Sequence, residues 1–257
     1  MRIHPIQTGT VHIHERQRVG APGRLRRVKM LTDDEWTEPL PILAWLIEHP
    51  EGLIVVDTGE TARALEPGYL PRWHPYFRRC VRFDVAPDDE IGPQLRRLGL
   101  SPQDVRWVVL THLHTDHAGG LGHFPDSQVV TTHEEWAYAT GRAGRRHGYP
   151  NTRWPDWLKP TLVSAPDSLT AAGDVRLEPT PGHTPGHMSV TVETDNAFVI
   201  IAGDASHDER FALDGIAPDP RVARATLARL RALVTERSAT YLPTHDSGSV
   251  ARLQALG

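Results

Sequence analysis

Four side chains able to bind a metal fall within six residues, in His112-Leu113-His114-Thr115-Asp116-His117. His112 and His114 are two apart, so in an extended segment they point the same way and can reach one ion. Asp116 and His117 are expected in a turn, because Ala118-Gly119-Gly120 permits tight backbone geometry. From there they can reach a second ion beside the first. Imidazole and carboxylate suit zinc, iron, cobalt or manganese. Two ions about 3.5–4 Å apart lower the pKa of a shared water, polarise a carbonyl and stabilise a leaving oxygen. Such a site hydrolyses without a serine or cysteine nucleophile. Three later positions complete a two-metal set: His183 in Thr180-Pro181-Gly182-His183-Thr184-Pro185-Gly186-His187, Asp204 in Ala202-Gly203-Asp204, and His245 in Pro243-Thr244-His245. Each follows an apolar run or sits in a Gly/Pro loop.

The elements that must carry these residues are readable in outline. Ile42 to Glu48 and Leu53 to Asp57 read as a hairpin around His49-Pro50-Glu51-Gly52, with Asp57-Thr58-Gly59 ending its second strand. Ala86-Pro87-Asp88-Asp89 starts a helix with a stripe through Ile91, Leu95 and Leu98. Val105 to Leu110 and Gln128 to Thr132 are strands, the latter followed by a helix over His133 to Thr140. Met188 to Glu193 and Ala197 to Ala202 form a second hairpin around Thr194-Asp195-Asn196. Asp219-Pro220 opens a helix to about Glu236 with Val222, Leu227, Leu230 and Leu233 inward, and Ala239 to Leu242 is a last strand. Hairpins first, then strand–helix alternation, favour two packed sheets covered by helices, an α+β fold.

Composition narrows the setting. The 257 residues suffice for one large core, and no stretch approaches the roughly 20 apolar residues of a membrane span. One domain over 1–257 is expected. Met1 to Pro5 lacks the apolar core of a signal peptide. Cys80 is the only cysteine, so no internal disulfide forms, which fits a reducing cytoplasm. A net charge of −4 argues against a nucleic-acid partner. The clusters Arg24 to Lys29 and Arg142 to Arg146 read as solvated loop.

The chain resembles the metallo-β-lactamase superfamily in Asp57-Thr58-Gly59, the His-x-His-x-Asp-His cluster, Pro181 to His187, Gly203-Asp204 and His245, which stand in that family's order. The resemblance implies an αβ/βα sandwich with the site at one edge of two mixed sheets. It assigns His112, His114 and His183 to one metal and Asp116, His117 and His245 to the other. Asp204 and a hydroxide bridge the two. His187 is implied to be structural rather than a ligand. Within the superfamily the sequence is most similar to N-acyl-homoserine lactone lactonases, which implies two divalent ions, zinc first among them, a small lactone substrate, no membrane, and a homodimer. The bridging Asp204 separates it from the secreted antibiotic-degrading zinc enzymes. In Asp204-Ala205-Ser206-His207 the lactonase pattern has tyrosine at the last place. That tyrosine donates to the substrate oxygen, and the expectation is that His207 donates through an imidazole N–H or is plain loop surface.

An acyl chain would need an apolar trough, for which Trp36, Trp73, Tyr76, Phe77, Trp136, Tyr138, Trp154 and Trp157 are candidates, and the aromatic segment Pro67 to Arg79 reads as a lid or interface. The same ligands serve thioester hydrolases of the glyoxalase II type, but only 12 residues follow His245, so no C-terminal substrate domain is expected. A persulfide dioxygenase would hold one iron with fewer ligands. A phosphodiesterase would call for more basic surface. A scaffold that binds metal without catalysis would close its coordination with four ligands, often cysteines.

Overall fold

Leu40–His49 forms a strand that is buried almost throughout. Leu43, Trp45 and Ile47 point to one side, Ala44 and Leu46 to the other. A strand apolar on both faces has to be covered on both. The computed structural model describes residues 1–256 apart from 21, 22, 24, 72, 143, 145, 146, 148 and 150–153. Among these, seven strands form one sheet in the order β4 (Val81–Asp84), β1 (Arg2–Ile13), β2 (Leu40–His49), β3 (Gly52–Val56), β5 (Val105–Val109), β6 (Gln128–Thr132), β7 (Thr161–Val163). Five form the other: β12 (Thr240–Pro243), β11 (Phe198–Gly203), β10 (Met188–Glu193), β9 (Val175–Pro179), β8 (Asp167–Ser168). Both are mixed. The β2–β3 and β10–β11 hairpins are antiparallel, while β3–β5–β6 and β11–β12 run parallel.

The two sheets face each other across Trp45, Ile47, Trp107, Val109, Val190 and Ile201. The outer face of the larger sheet packs Ala44, Leu46 and Val108 against Ile91 and Leu95 of the helix Ile91–Arg97. The outer face of the smaller packs Ile200, Ala202 and Tyr241 against Leu230 of the helix Pro220–Arg237. The αβ/βα sandwich implied by the resemblance is the observed architecture. No helix among the described residues is long and apolar enough to cross a membrane.

Several expectations need correction. On the helix Pro220–Arg237 Ala223, Thr226, Leu227 and Leu230 are buried and Leu233 packs beside Leu230 as expected, but Val222 is exposed. The buried stripe follows a spacing of three and four from Ala223, which turns Val222 outward. Leu98 follows the end of its helix and is exposed too. The cluster Arg24 to Lys29 is not a solvated loop where it is described: Arg26–Leu31 is a helix, and Arg26 and Arg27 donate to the carbonyls of Ala217 and Ile216. Arg24, Arg145 and Arg146 lie outside the described residues. The twelve-residue strand β1 went unread, because Arg2-Ile3-His4-Pro5-Ile6-Gln7-Thr8 mixes polar residues and a proline into a strand lying inside the sheet.

Candidate metal centre

The C-terminal ends of β3, β5, β11 and β12 meet at one edge of the sandwich, joined by the loop between β9 and β10. Backbone bonds lock that edge across the two sheets: Met188 N–H donates to Thr111 O at 3.0 Å and Leu43 N–H to Thr244 O at 3.2 Å. Here all seven predicted ligands come together. His112 Nε2, His114 Nδ1 and His183 Nε2 converge, with 2.9 Å between the first two and 2.9 Å between the last two. Asp116, His117 and His245 form a second group. Asp204 stands between them. Its Oδ2 is 3.5 Å from His183 Nε2, and its Oδ1 is 3.3 Å from His117 Nε2 and 3.5 Å from His245 Nε2.

In four of the five imidazoles the remaining ring nitrogen is committed elsewhere, which fixes where the lone pair points. Thr111 donates its hydroxyl to Asp57 Oδ2 at 2.9 Å, so its oxygen accepts from His112 Nδ1 at 3.1 Å. His117 Nδ1 donates to Asp57 Oδ2 at 2.8 Å and His245 Nδ1 to Pro41 O at 2.9 Å. His183 Nδ1 donates to Asp214. Two buried atoms in the middle, His117 Nε2 and Asp204 Oδ1, have no hydrogen-bond partner among the described residues. Converging imidazole lone pairs, the two carboxylates and these orphaned atoms suit divalent cations.

The charges divide: against their burial, Asp204 and Asp57 push His117 up, Asp214 and Asp204 push His183 up, and Asp204 with Asp116 takes His245 to about 10. The other four ligands are held down. Burial, then the neighbouring imidazolium charges, push His112 well down, and burial with His183 beside it takes His114 to about 3. Burial alone would raise Asp116, but the hydrogen bond from His245 and the charge on His117 hold it at about 2. Asp204 is likewise held well down by His245, His117 and His183 against its burial.

The turn expected at Asp116 and His117 is a one-turn helix, Thr115–Ala118. Gly119 is needed for closeness rather than tight turning: a Cβ there would lie 2.5 Å from Glu60 Oε1. Gly203 does need its freedom, with φ at +57° and a Cβ that would meet His187 Nε2 and Thr111 at 2.8 Å. His187 is structural: its Nδ1 bonds Thr180 Oγ1 at 2.8 Å and its Nε2 accepts the Asp204 N–H at 3.0 Å. His207 is buried and lines the same cavity, so it is not loop surface. Cys80 is a buried core residue whose thiol is pushed up to about 11 by burial.

The cavity over the centre holds about 280 Å³. Of the eight aromatic candidates, Tyr76, Phe77 and Tyr138 line it. Trp136 and Trp154 stack on each other at 5.1 Å, Trp36 packs on His14 and Arg82, and Trp73 and Trp157 are exposed. The wall is instead completed by Val11, Ile13, Met30, Leu31, Phe83 and Tyr149. Aliphatic positions in the N-terminal segment carried no signal separating a cavity wall from core.

Sequence reasoning also missed Glu135, Asp214 and Glu60. Glu135 reads as the third residue of a helix-capping pair with Thr132, and Asp214 as a turn residue before Gly215. Glu60 is fully buried, with Oε2 unpartnered among the described residues. Burial raises its carboxyl from 4.5 to about 8, against hydrogen bonds from Thr115 and Thr61 N–H. The folded chain therefore keeps a proton that the unfolded chain releases. Stability from this group is complete below pH 4.5 and lost as pH rises through 8. In denaturant titrations of the metal-free protein, wild type should lose stability relative to Glu60→Gln between pH 5 and 8. Parallel pH profiles would contradict a neutral Glu60.

The family model for the metallo-beta-lactamase superfamily matches residues 37–245, and the chain belongs to that superfamily. Within it, the chain is similar to the N-acyl homoserine lactonase AttM of Rhizobium radiobacter, 28% identical over 271 aligned positions that cover 99% of this chain and 96% of that protein. An N-acyl homoserine lactonase of a Bacillus species is 30% identical over 223 positions, covering 80% and 82%. A solved N-acyl homoserine lactone hydrolase, with the product N-hexanoyl-L-homoserine bound at its catalytic metal centre, superposes with a TM-score of 0.78 at 26% identity, covering 95% of this chain and 93% of that one.

Proposed function

We propose that this chain is a metal-dependent hydrolase that opens the ring of an N-acyl-homoserine lactone, the quorum-quenching reaction, releasing the N-acyl-homoserine. The observation that carries this reading is one cavity lined both by His114, Asp116, His183, Asp204 and His245 and by the apolar side chains Met30, Leu31, Phe77 and Phe83. The polar lining suits a lactone ring and the apolar lining an alkyl chain. The similarity to named lactonases supports it. His112, His114 and His183 would hold one ion, Asp116, His117 and His245 the other, and Asp204 both. When bound, the ions supply Lewis acidity toward the lactone carbonyl and acidify water.

The chain's own residues orient and donate. Burial lowers the pKa of His207, with Asp214 and Asp204 opposing, so the ring is neutral at pH 7 and carries one N–H. Its Nδ1 is buried without a hydrogen-bond partner among the described residues. In this reading His207 donates to a substrate oxygen as charge builds on it. His207→Phe should lower kcat by roughly 10²-fold, the value of one such donor, with metal content unchanged. Unchanged kcat in a fully metallated variant would remove the role.

Zinc is the ion assigned, since imidazoles and carboxylates without thiolate make a borderline donor set. Elemental analysis of purified protein tests it. A homodimer is assigned through the exposed apolar side chains Leu65 and Trp73, and light scattering tests that. The reaction itself is tested by mass spectrometry of N-hexanoyl-homoserine lactone after incubation. Gain of one water with the amide intact is the expected product. Release of hexanoic acid, or no change, would contradict ring opening.

A further inference from the structure

Three of the imidazoles at the centre are held from behind by groups of the sheet edge itself: His112 by Thr111, His117 by Asp57 and His245 by the Pro41 carbonyl. His183 is held differently. Its Nδ1 donates to Asp214, 31 residues further on, in the segment between β11 and the helix Pro220–Arg237. Asp214 is only 3% exposed, and its Oδ1 accepts the Ile216 N–H at 2.8 Å, so the carboxylate is pinned at both oxygens. The segment is tied in turn to the N-terminal region. Gly215 N–H donates to Gln17 O at 2.8 Å, Arg27 Nη2 donates to Ile216 O at 3.2 Å, and Arg26 donates to Ala217 O. A Cβ at Gly215 would come within 2.4 Å of Arg16 O, so the two stretches of backbone are pressed together. Met30 and Leu31, on the same helix as Arg26 and Arg27, line the cavity.

We infer that Asp214 is the positioning residue of the metal group formed by His112, His114 and His183, and that it makes loading of this group depend on the seating of the wall segment around Arg26–Leu31. A carboxylate behind an imidazole fixes the tautomer, aims the Nε2 lone pair and raises its basicity. Here that carboxylate is delivered by a loop whose place is set by Gln17, Arg26 and Arg27. Loosening the loop withdraws the orientation of His183 and leaves His117 and His245, which are held by the sheet edge, untouched. The two metal groups should thus differ in what they need from the rest of the chain.

The inference rests on the two-metal reading of the site, and its test separates the two. Metal-free full-length protein would be titrated with cobalt(II) against a chelating dye, which reads both dissociation constants and the visible spectrum of each site. Asp214→Ala should weaken one site by roughly 10–100-fold and shift its spectrum, and Asp214→Asn should weaken the same site by less. The other site should stay within about twofold. Arg27→Met should weaken the same site as Asp214→Ala. A role confined to folding would lower the metal-free Tm and weaken both sites together, which overturns the inference. So does an Asp214→Ala protein that binds both ions as wild type does, or an Arg27→Met protein with an unchanged His183 site. Wild type that takes up no metal would overturn the site reading as well.

Discussion

Asp204→Ala should lower kcat/KM on a lactone by roughly 10³-fold, the several kcal/mol of charge stabilisation a metal centre supplies converted at about 1.4 kcal/mol per tenfold. No other carboxylate has one oxygen turned toward His183 and the other toward His117 and His245 among the described residues. Its loss removes an anion from both metal groups at once. Asp204→Asn keeps the shape and the contact of the Asp204 N–H with His187, so it separates charge from packing. If charge governs, the two variants fall together in metal content and rate. An asparagine variant with near-normal metal and rate would show that shape alone is needed.

Glu135→Ala should be the most destabilising single change near the centre. Glu135 is fully buried, and its Oε1 accepts the Leu113 N–H at 3.0 Å and the Tyr149 hydroxyl at 2.8 Å. Its Oε2 accepts the Thr184 hydroxyl at 2.6 Å. Truncation orphans three buried donors, at about 1–3 kcal/mol each before relaxation, for a total of about 4 kcal/mol. In a chain of this size that corresponds to a fall in Tm of about 10 °C by calorimetry. Because Leu113 lies between His112 and His114, and Thr184 follows His183, activity should fall as well. Glu135→Gln retains an acceptor and should cost about half as much. A Glu135→Ala protein that melts like wild type would mean water replaces the carboxylate without penalty.

The parts of the site carried by local spacing were legible before the fold. His112, His114, Asp116 and His117 announce themselves because four donors in six residues have few other uses. The strand that delivers them, Val105–Val109, is a short, largely apolar run, and it read correctly. What failed was whatever depended on distant partners. Glu135 and Asp214 are ordinary residues of a helix start and a turn, and only the packing of one loop on another makes them supports of His183. The cavity wall was read only in part, at Tyr76, Phe77 and Tyr138, for a related reason. Tryptophans were the natural choice for a trough, yet Trp136 and Trp154 prefer each other, while Met30 and Leu31 reach the cavity because Arg26 and Arg27 anchor their helix across the site. The strand Arg2–Ile13 was hidden because its neighbours on both sides, rather than its own composition, hold it in the sheet.

The most direct measurement is acid release from N-hexanoyl- and N-decanoyl-homoserine lactone in weakly buffered pH indicator, with enzyme that is metal-loaded, chelator-stripped and reloaded, beside an Asp116→Asn control. Fast release by loaded and reloaded enzyme, lost on stripping and in the control, is the expected result. No release from protein shown to carry two ions would contradict lactone opening and turn attention to thioesters and phosphodiesters.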